Sequence, residues 1–169
     1  MKKVLVVFLI LIIIALLVLV FSFTIFSVSG ASMEPTLKDS EKILVFKLAY
    51  NFSKLGRGDL ILLKADNKIW VKRIVGLPGE QVEIKDGKVK INGKVLLESY
   101  VKEISTYGDQ RVILVENQFY VLGDNREPNQ SIDSRIFGPI SKKSILGKVV
   151  ARFSPNFKFF KKQTYQLTD

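Results

Sequence analysis

The chain has 169 residues, which is enough for one membrane segment and one domain with a sizeable core. It carries 26 Lys and Arg against 16 Asp and Glu, and the net charge of +10 suits an anionic partner such as phospholipid or nucleic acid. The sequence contains no cysteine and no histidine, which excludes disulfides, thiolate nucleophiles, the Ser-His-Asp triad and the usual Cys or His metal sites.

An apolar segment opens the chain. Residues 4–26 carry no charge and predict a membrane-spanning helix, which would rise about 35 Å against a hydrocarbon layer about 30 Å thick. Two lysines precede the segment and no base follows it before Lys38, so the charge asymmetry predicts a cytoplasmic N-terminus and an extracytoplasmic domain. A signal peptide cleaved near Ser29 and Ala31 is the alternative, which the length of the apolar run disfavours.

Ser32 follows the apolar segment closely. It lies six residues after Phe26, and six extended residues reach at most ~20 Å. A serine in this place is a candidate nucleophile held near a membrane surface, or else only part of the exit from a signal sequence.

Short β-rich runs separated by Gly, Pro, Asn and Asp turns fill residues 27–155, which predicts a single mostly-β domain. The predicted strands are 43–46, 59–63, 69–75, 81–84, 88–91, 112–116, 118–122 and 148–153. Two-residue turns are predicted at 86–87 and 92–93, and brief helices near 47–52 and 142–145. Residues 85–111 are interpreted as a smaller, more polar β lobe inserted in the domain.

Lys72 is the second candidate for chemistry. Because side chains alternate along a strand, Lys72 shares a face with Trp70 and Ile74, whereas Arg73 points to the other face. Burial between an indole and an aliphatic side chain would favour the neutral amine, which could take a proton from a serine hydroxyl. A lysine that buries its stem and keeps its ammonium in water is the alternative interpretation.

Four sequence blocks follow one another along the chain: SMEPTL at 32–37, RGD at 57–59, VKRIVGLPG at 71–79, and GDNR at 123–126 with SIDSR at 131–135. In content and order they resemble the bacterial type I signal peptidases, the membrane-anchored Ser/Lys endopeptidases that remove signal peptides from exported proteins. Gly30 and the single anchor resemble the Gram-positive-like branch of that family. The resemblance implies a coiled β-sheet domain, like that of self-cleaving repressors, with one or two short helices.

The resemblance also implies a set of site residues. Ser32 would be the acylated nucleophile and Lys72 its general base, without metal or cofactor. Ser131 would orient the Lys72 amine through a hydrogen bond. Two supporting ion pairs are implied, Asp133 with Arg135 and Asp124 with Arg73.

Substrate recognition is implied by the same resemblance. Met33, Trp70 and Val71 match positions that line shallow pockets for small side chains, typically alanine at the first and third positions before the cut. Some relatives carry a serine hydroxyl for the oxyanion where this chain has Gly30, so backbone N–H groups, that of Ser32 among them, are expected to stabilise the oxyanion.

Two further segments differ from the family pattern or extend beyond it. Residues 127–130 make the gap between the last two motif pieces two residues longer than usual. Residues 156–169 interleave aromatic and basic side chains, Lys161 and Lys162 among them, which favours contact with an anionic lipid surface. A solvated, frayed end is the alternative, and an exported domain disfavours stacking on nucleic acid.

These observations together predict a single-pass membrane serine endopeptidase that removes signal peptides outside the cytoplasmic membrane. Its expected partners are preprotein signal peptides, phospholipid and, indirectly, the export machinery, with no nucleic acid. Two other functions stay open at this point. One is a catalytically silent anchored β domain that binds exported chains, and the other is a related Ser/Lys peptidase for pilin or conjugation components.

Overall fold

The computed structural model describes residues 2–101, 105–160, 163 and 165–168, apart from the side chains of Lys2 and Phe52. The helices in this part are α1 (Lys2–Phe21), α2 (Ala49–Phe52) and α3 (Ser134–Phe137), with a 3₁₀ turn at Lys142–Ser144. The strands are β1 (Phe23–Ser27), β2 (Lys42–Phe46), β3 (Leu60–Ala65), β4 (Lys68–Gly76), β5 (Gln81–Lys85), β6 (Lys88–Ile91), β7 (Lys94–Leu97), β8 (Gln110–Ile113), β9 (Gln118–Leu122), β10 (Ile140–Ser141), β11 (Ile145–Ser154), β12 (Lys158–Phe159) and β13 (Gln166–Thr168). The mostly-β fold class is confirmed.

Helix α1 is shorter than the predicted segment 4–26. It ends at Phe21, and the aromatic and β-branched residues that follow form β1, which pairs with β2. Ser22 closes the helix because its backbone N–H and its hydroxyl both donate to Val18 O. Ser32 thus lies eleven residues beyond the helix, and the intervening chain could span at most ~38 Å rather than ~20 Å.

The length and composition of α1 suit a membrane span. Twenty residues rise about 30 Å, close to the thickness of the hydrocarbon layer. Within the described part of the chain, α1 is the one helix long and apolar enough to cross a membrane, and none of its side chains is buried against the rest of the protein.

The main sheet carries the candidate site. Its antiparallel strand order is β1-β2-β11-β3-β4-β9-β10, with β12 added to β11. Strand β4 pairs with β3 over residues 68–73 and with β9 over residues 73–76. The predicted alternation along β4 is confirmed, since Trp70 and Ile74 pack in one apolar cluster and Val71 in another.

A second sheet, with order β13-β7-β6-β5-β8, takes the place of the predicted lobe 85–111. It begins earlier, at Gln81, and it includes a strand from the C-terminal end of the chain. Residues 102–104 of the predicted lobe lie outside the described part. The predicted strand 112–116 is displaced to Gln110–Ile113, because residues 115–118 form a turn in which Asn117 adopts a φ of +62°.

The C-terminal residues are integrated into both sheets, so the alternative of a frayed, solvated end does not hold for the described part of 156–169. Strand β12 pairs with β11, and β13 pairs with β7. Phe160 packs against the core of the main sheet and Tyr165 against the core of the second. Lys161 and Lys162, which contributed to the predicted lipid contact, lie outside the described residues.

Candidate active site

Ser32 lies in a turn, residues 31–37, that follows β1. Two side chains of the turn, Met33 and Leu37, are buried in the core of the main sheet and hold the turn against it. The turn is fixed from the side because the backbone N–H of Asn125 donates to Ser32 O at 3.1 Å and its side-chain amide donates to Ala31 O at 3.2 Å. The Ser32 hydroxyl is thereby presented at a defined position beside β4.

Lys72 Nζ lies 2.7 Å from Ser32 Oγ. The lysine is fully buried, and its Nζ lies 5.4 Å from the centroid of the Trp70 ring. Burial lowers the pKa of Lys72 to about 8, although the carboxylates of Asp133 and Asp124 act in the opposite direction. The amine is therefore held near a serine hydroxyl with a neutral form accessible at physiological pH.

A buried carboxylate organises the loop behind Lys72. Asp133 accepts hydrogen bonds from Arg135 Nε at 2.8 Å and Nη2 at 2.7 Å, and from the Gly123 N–H at 2.9 Å. Burial alone would raise the pKa of Asp133, but these bonds and the charge of Arg135 hold that pKa below its ordinary value. The carboxylate is thus ionised, and these donors, together with the Arg135 N–H and the Ser131 hydroxyl, determine its position.

Ser131 belongs to the same loop. Its hydroxyl donates to Asp133 Oδ2 at 2.7 Å, and the expected hydrogen bond to the Lys72 amine is not found among the described residues, where Lys72 Nζ donates to Ser32. The two extra residues of the 127–130 segment are accommodated on the surface, where the whole segment is exposed. Ser131 and Asp133 remain buried despite the longer gap.

Arg73 and Asp124 form a pair on the opposite face of β4 from Lys72. Arg73 Nε donates to Asp124 Oδ1 at 2.8 Å, and its Nη2 to Asp124 Oδ2 at 2.5 Å. Sequence reasoning missed Thr36, whose hydroxyl donates to the same carboxylate. Because Thr36 belongs to the turn that carries Ser32, the pair also anchors the nucleophile turn.

Gly123 is a second residue whose role was missed, although it lies within a recognised block. A Cβ at this position would come within 2.3 Å of Ser131 Oγ and 2.4 Å of Ser32 O. Only glycine therefore lets the 123–126 segment approach both serines. The motif block was the available signal, but the contact itself joins residues almost a hundred positions apart.

A cavity of about 490 Å³ opens beside Ser32. It brings together Met33, Trp70 and Val71, the three residues expected to line substrate pockets. Sequence reasoning missed the rest of its lining, which is Phe26, Val28, Ser29, Lys68 and Ile69. The cavity lies between β1, an edge strand of the main sheet, and the first half of β4.

The backbone near Ser32 bears on the expected oxyanion donors. No backbone hydrogen bond within the described part of the chain engages the Ser32 N–H. Gly30 adopts a φ of +82° and its N–H donates to Asp39 Oδ1 at 2.6 Å, which lowers the pKa of that carboxyl. A serine at position 30 would be strained in this conformation, which agrees with a site that uses backbone donors.

Comparisons with known proteins identify the family to which the chain belongs. A family model described as signal peptidase, peptidase S26, matches residues 1–154. Signal peptidase IB of Staphylococcus aureus is 34% identical over 158 residues, covering 82% of each chain, and signal peptidase I V of Bacillus subtilis is 35% identical over 139 residues, covering 73% of this chain and 82% of that protein.

A probable signal peptidase I-2 of Synechocystis is 36% identical over 136 residues, and the match covers 76% of this chain but 62% of that longer protein. The crystal structure of a signal peptidase I from Enterococcus faecalis superposes with a TM-score of 0.51 at 32% identity, covering 57% of this chain and 97% of that one. The resemblance carried by the four sequence blocks is confirmed. The chain belongs to the signal peptidase family, peptidase S26.

Proposed function

We propose that this protein is a membrane-anchored serine endopeptidase that removes N-terminal signal peptides from exported preproteins. The observation that carries the proposal is the 2.7 Å contact between Ser32 Oγ and the fully buried Lys72 Nζ, whose pKa is lowered to about 8. At pH 7 a pKa near 8 leaves roughly one lysine in ten neutral, against about one in 3000 at the ordinary value. Burial therefore supplies about a 300-fold larger fraction of the base form.

The reaction follows from this pair of groups. Neutral Lys72 takes the proton of the Ser32 hydroxyl as the oxygen attacks the scissile carbonyl, and the backbone N–H of Ser32 stabilises the oxyanion. The resulting Lys72 ammonium gives its proton to the leaving amine, and the C–N bond breaks to leave an acyl-enzyme. Lys72 then deprotonates a water molecule that attacks the ester, and the proton returns to Ser32.

The substrate is proposed to bind as an added strand in the cavity beside Ser32. Across the described residues, the 68–72 portion of β4 has a ladder partner only on its β3 side, so its other edge can pair with an extended peptide. Met33, Trp70 and Val71 limit the volume available to side chains next to the cut. Shallow pockets bounded by these three side chains within the cavity would favour small residues such as alanine by excluding larger ones.

Helix α1 is proposed as the anchor, with a cytoplasmic N-terminus and the two sheets outside the membrane. Lys3 precedes the apolar run and no base follows before Lys38, which is the asymmetry that sets this orientation. The export machinery then enters indirectly, since it delivers the substrate to the outer surface. Accessibility of a cysteine introduced at Lys64, an exposed position on β3, to an impermeant thiol reagent in intact cells tests the orientation.

Contact with phospholipid is supported by an aromatic cluster on the surface. Phe153, Phe157 and Phe159 are exposed by 51%, 54% and 66%, yet their rings pack edge to face on one another. Exposed aromatic rings next to basic residues such as Lys158 suit a membrane interface. The cluster therefore gives the C-terminal segment a lipid-facing surface in addition to its place in the two sheets.

The lipid contact is tested by the double variant Phe157→Ser/Phe159→Ser, compared with Ile113→Ser/Val115→Ser, which removes two equally exposed apolar side chains elsewhere. Cleavage by the full chain is measured in anionic vesicles and in detergent. We expect the aromatic variant to lose activity in vesicles alone, and the control to lose none. An equal loss in both media would refute the lipid role.

The peptidase function is tested by incubating the detergent-solubilised chain with a preprotein and sequencing the new N-terminus. We expect cleavage after a small residue at the signal-peptide junction, and none with Ser32→Ala or Lys72→Ala, each folded as judged by circular dichroism. A wild-type protein that binds the preprotein without cutting it would be the silent binding domain instead. Cleavage of pilin-type substrates alone would point to the related Ser/Lys peptidase.

A further inference from the structure

Arg73 is enclosed by two residues of the motif blocks and by one aromatic residue outside them. Its guanidinium pairs with Asp124, and its Nη1 donates to Gly58 O at 3.0 Å. The ring of Tyr100 stacks on the guanidinium, with the Cζ atom of Arg73 3.9 Å from the ring centroid. Tyr100 follows β7, so a side chain anchored by the second sheet covers the ion pair behind the Ser32–Lys72 dyad.

The C-terminal segment holds Tyr100 in place. Tyr165 packs edge to face on Tyr100 at 6.1 Å between centroids, and it directly precedes β13, which pairs with β7. The space that a side chain at Gly58 would occupy is filled by Tyr165, since a Cβ there would lie 2.3 Å from Tyr165 Oη. This contact explains why the block at 57–59, which the reaction does not use, carries a glycine.

The same segment after β7 makes a second connection to the site. Glu98 accepts two hydrogen bonds from the fully buried Arg126, at 2.6 and 2.7 Å, and also one from the Tyr100 hydroxyl. Arg126 Nε in turn donates to Gly123 O at 2.8 Å. Ser131 and the Ser32 carbonyl pack closely against Gly123, so this chain of hydrogen bonds ends at a residue in contact with the dyad's turn.

We propose that Tyr100 and Tyr165 are positioning residues of the dyad, and that the C-terminal segment locks the active site through them. The Tyr100 ring excludes water from the Arg73 guanidinium and so maintains its ion pair with Asp124. Tyr165 packs on Tyr100 and holds that ring against Arg73. The pair in turn holds Thr36 and the nucleophile turn. The inference rests on the proposed function for its kinetic readout, but it also has a readout that does not require cleavage.

The consequence for the base has a definite sign. If Tyr100 is truncated, water reaches Arg73 and the pair with Asp124 loosens, so more of the Asp124 charge acts on Lys72. That charge favours the ammonium, so the pKa of Lys72 rises. Because the reaction needs the neutral amine, the acid limb of the kcat/KM profile moves to higher pH.

The test compares Tyr100→Ala and Tyr165→Ala with Tyr100→Phe, Tyr165→Phe and the exposed control Tyr107→Ala, all in the full chain in detergent. We expect the acid limb of the kcat/KM profile to shift to higher pH by about half a unit or more in the two truncated variants. We also expect kcat to fall about tenfold or more in these variants. The Phe variants keep the rings, and Glu98 keeps both bonds from Arg126 without the Tyr100 hydroxyl, so these variants and Tyr107→Ala should behave like the wild type.

A second measurement separates this inference from the proposed peptidase function. The ¹³Cε titration of Lys72 is followed by NMR in the same variants, with the resonance assigned by its loss in Lys72→Met, and we expect a higher pKa in Tyr100→Ala and Tyr165→Ala. A wild-type protein that cuts no preprotein would sink the proposed function, yet the titration would still decide this inference.

The positioning role is overturned if the truncated variants are folded and keep both the wild-type pH profile and the wild-type Lys72 titration. It is also overturned if the Phe variants are damaged as severely as the Ala variants, because the hydroxyl groups would then matter and not the stacked rings. If Tyr100→Ala does not fold, Tyr100→Leu, which fills much of the space without a π face, carries the same expectation.

Discussion

Replacing Lys72 by methionine should stabilise the folded domain at neutral pH, and the gain should shrink in alkali. Burial lowers the pKa of Lys72 from 10.5 to about 8, so the unfolded chain binds a proton that the folded chain releases between these values. The wild-type free energy of unfolding therefore rises by about 3 kcal/mol between pH 8 and pH 10.5. Below pH 8 the free energy of unfolding is lowered by the full cost of burying a charged lysine.

Methionine has a similar volume and no charge, so the variant should lack this alkaline rise. The lost hydrogen bond to Ser32 removes about 1 kcal/mol at every pH, so the net gain at pH 7 is about 2 kcal/mol. The free energy of unfolding of the variant minus that of the wild type should therefore fall by about 3 kcal/mol across the interval, from about +2 to about −1 kcal/mol. Other titrating groups are common to both proteins and cancel in that difference.

The assay is unfolding by guanidinium chloride in detergent at a series of pH values, followed by the fluorescence of Trp70, the only tryptophan in the chain. Lys64→Met, which changes an exposed lysine on the neighbouring strand β3, serves as the matched control and should show no pH-dependent difference. A difference between Lys72→Met and the wild type that stays constant from pH 7 to pH 10.5 would refute the claim that burial depresses the lysine pKa.

Two further substitutions test the support of the dyad. Gly123→Ala should lower kcat by about 100-fold or more because its Cβ displaces Ser131 and the Ser32 carbonyl; an unchanged kcat would contradict the close packing seen there. Asp133→Asn removes a carboxylate that raises the pKa of Lys72, so the acid limb of the kcat/KM profile should move to lower pH. We also expect kcat to fall because the bond between Ser131 and the carboxylate is lost. Movement of the acid limb to higher pH would contradict the electrostatic role of Asp133.

The fold class and the two faces of β4 could be predicted because their signals are local in the sequence, whereas the pairing of Ser32 with Lys72 was expected only from the family resemblance. Alternation along 69–75 places Lys72 and Arg73 on opposite faces whatever the rest of the chain does. The end of α1 was missed because residues 22–26 continue the uncharged run, and only the pairing of β1 with β2 distinguishes a strand from a longer span.

The two supporting ion pairs were implied by the resemblance, but the contacts made by Thr36 and Tyr165 were not predicted because they join distant parts of the chain. The Thr36 hydroxyl donates to Asp124, 88 positions further along the chain. Tyr165 fills the space at Gly58 because it directly precedes β13, which pairs with the second sheet. Interleaved aromatic and basic residues at the C-terminus indicate a surface, yet Phe160 and Tyr165 turn inward against two cores. The composition of the segment does not predict which of its aromatic rings are exposed and which are packed.

The most direct measurement of the central claim is the NMR titration of Lys72 in the wild-type chain. With its ¹³Cε resonance assigned by comparison with Lys72→Met, we expect a pKa of about 8, set by burial against Trp70 and Ser32. A value at or above 10.5 would mean that the amine stays charged at neutral pH and would contradict its role as the base that activates Ser32.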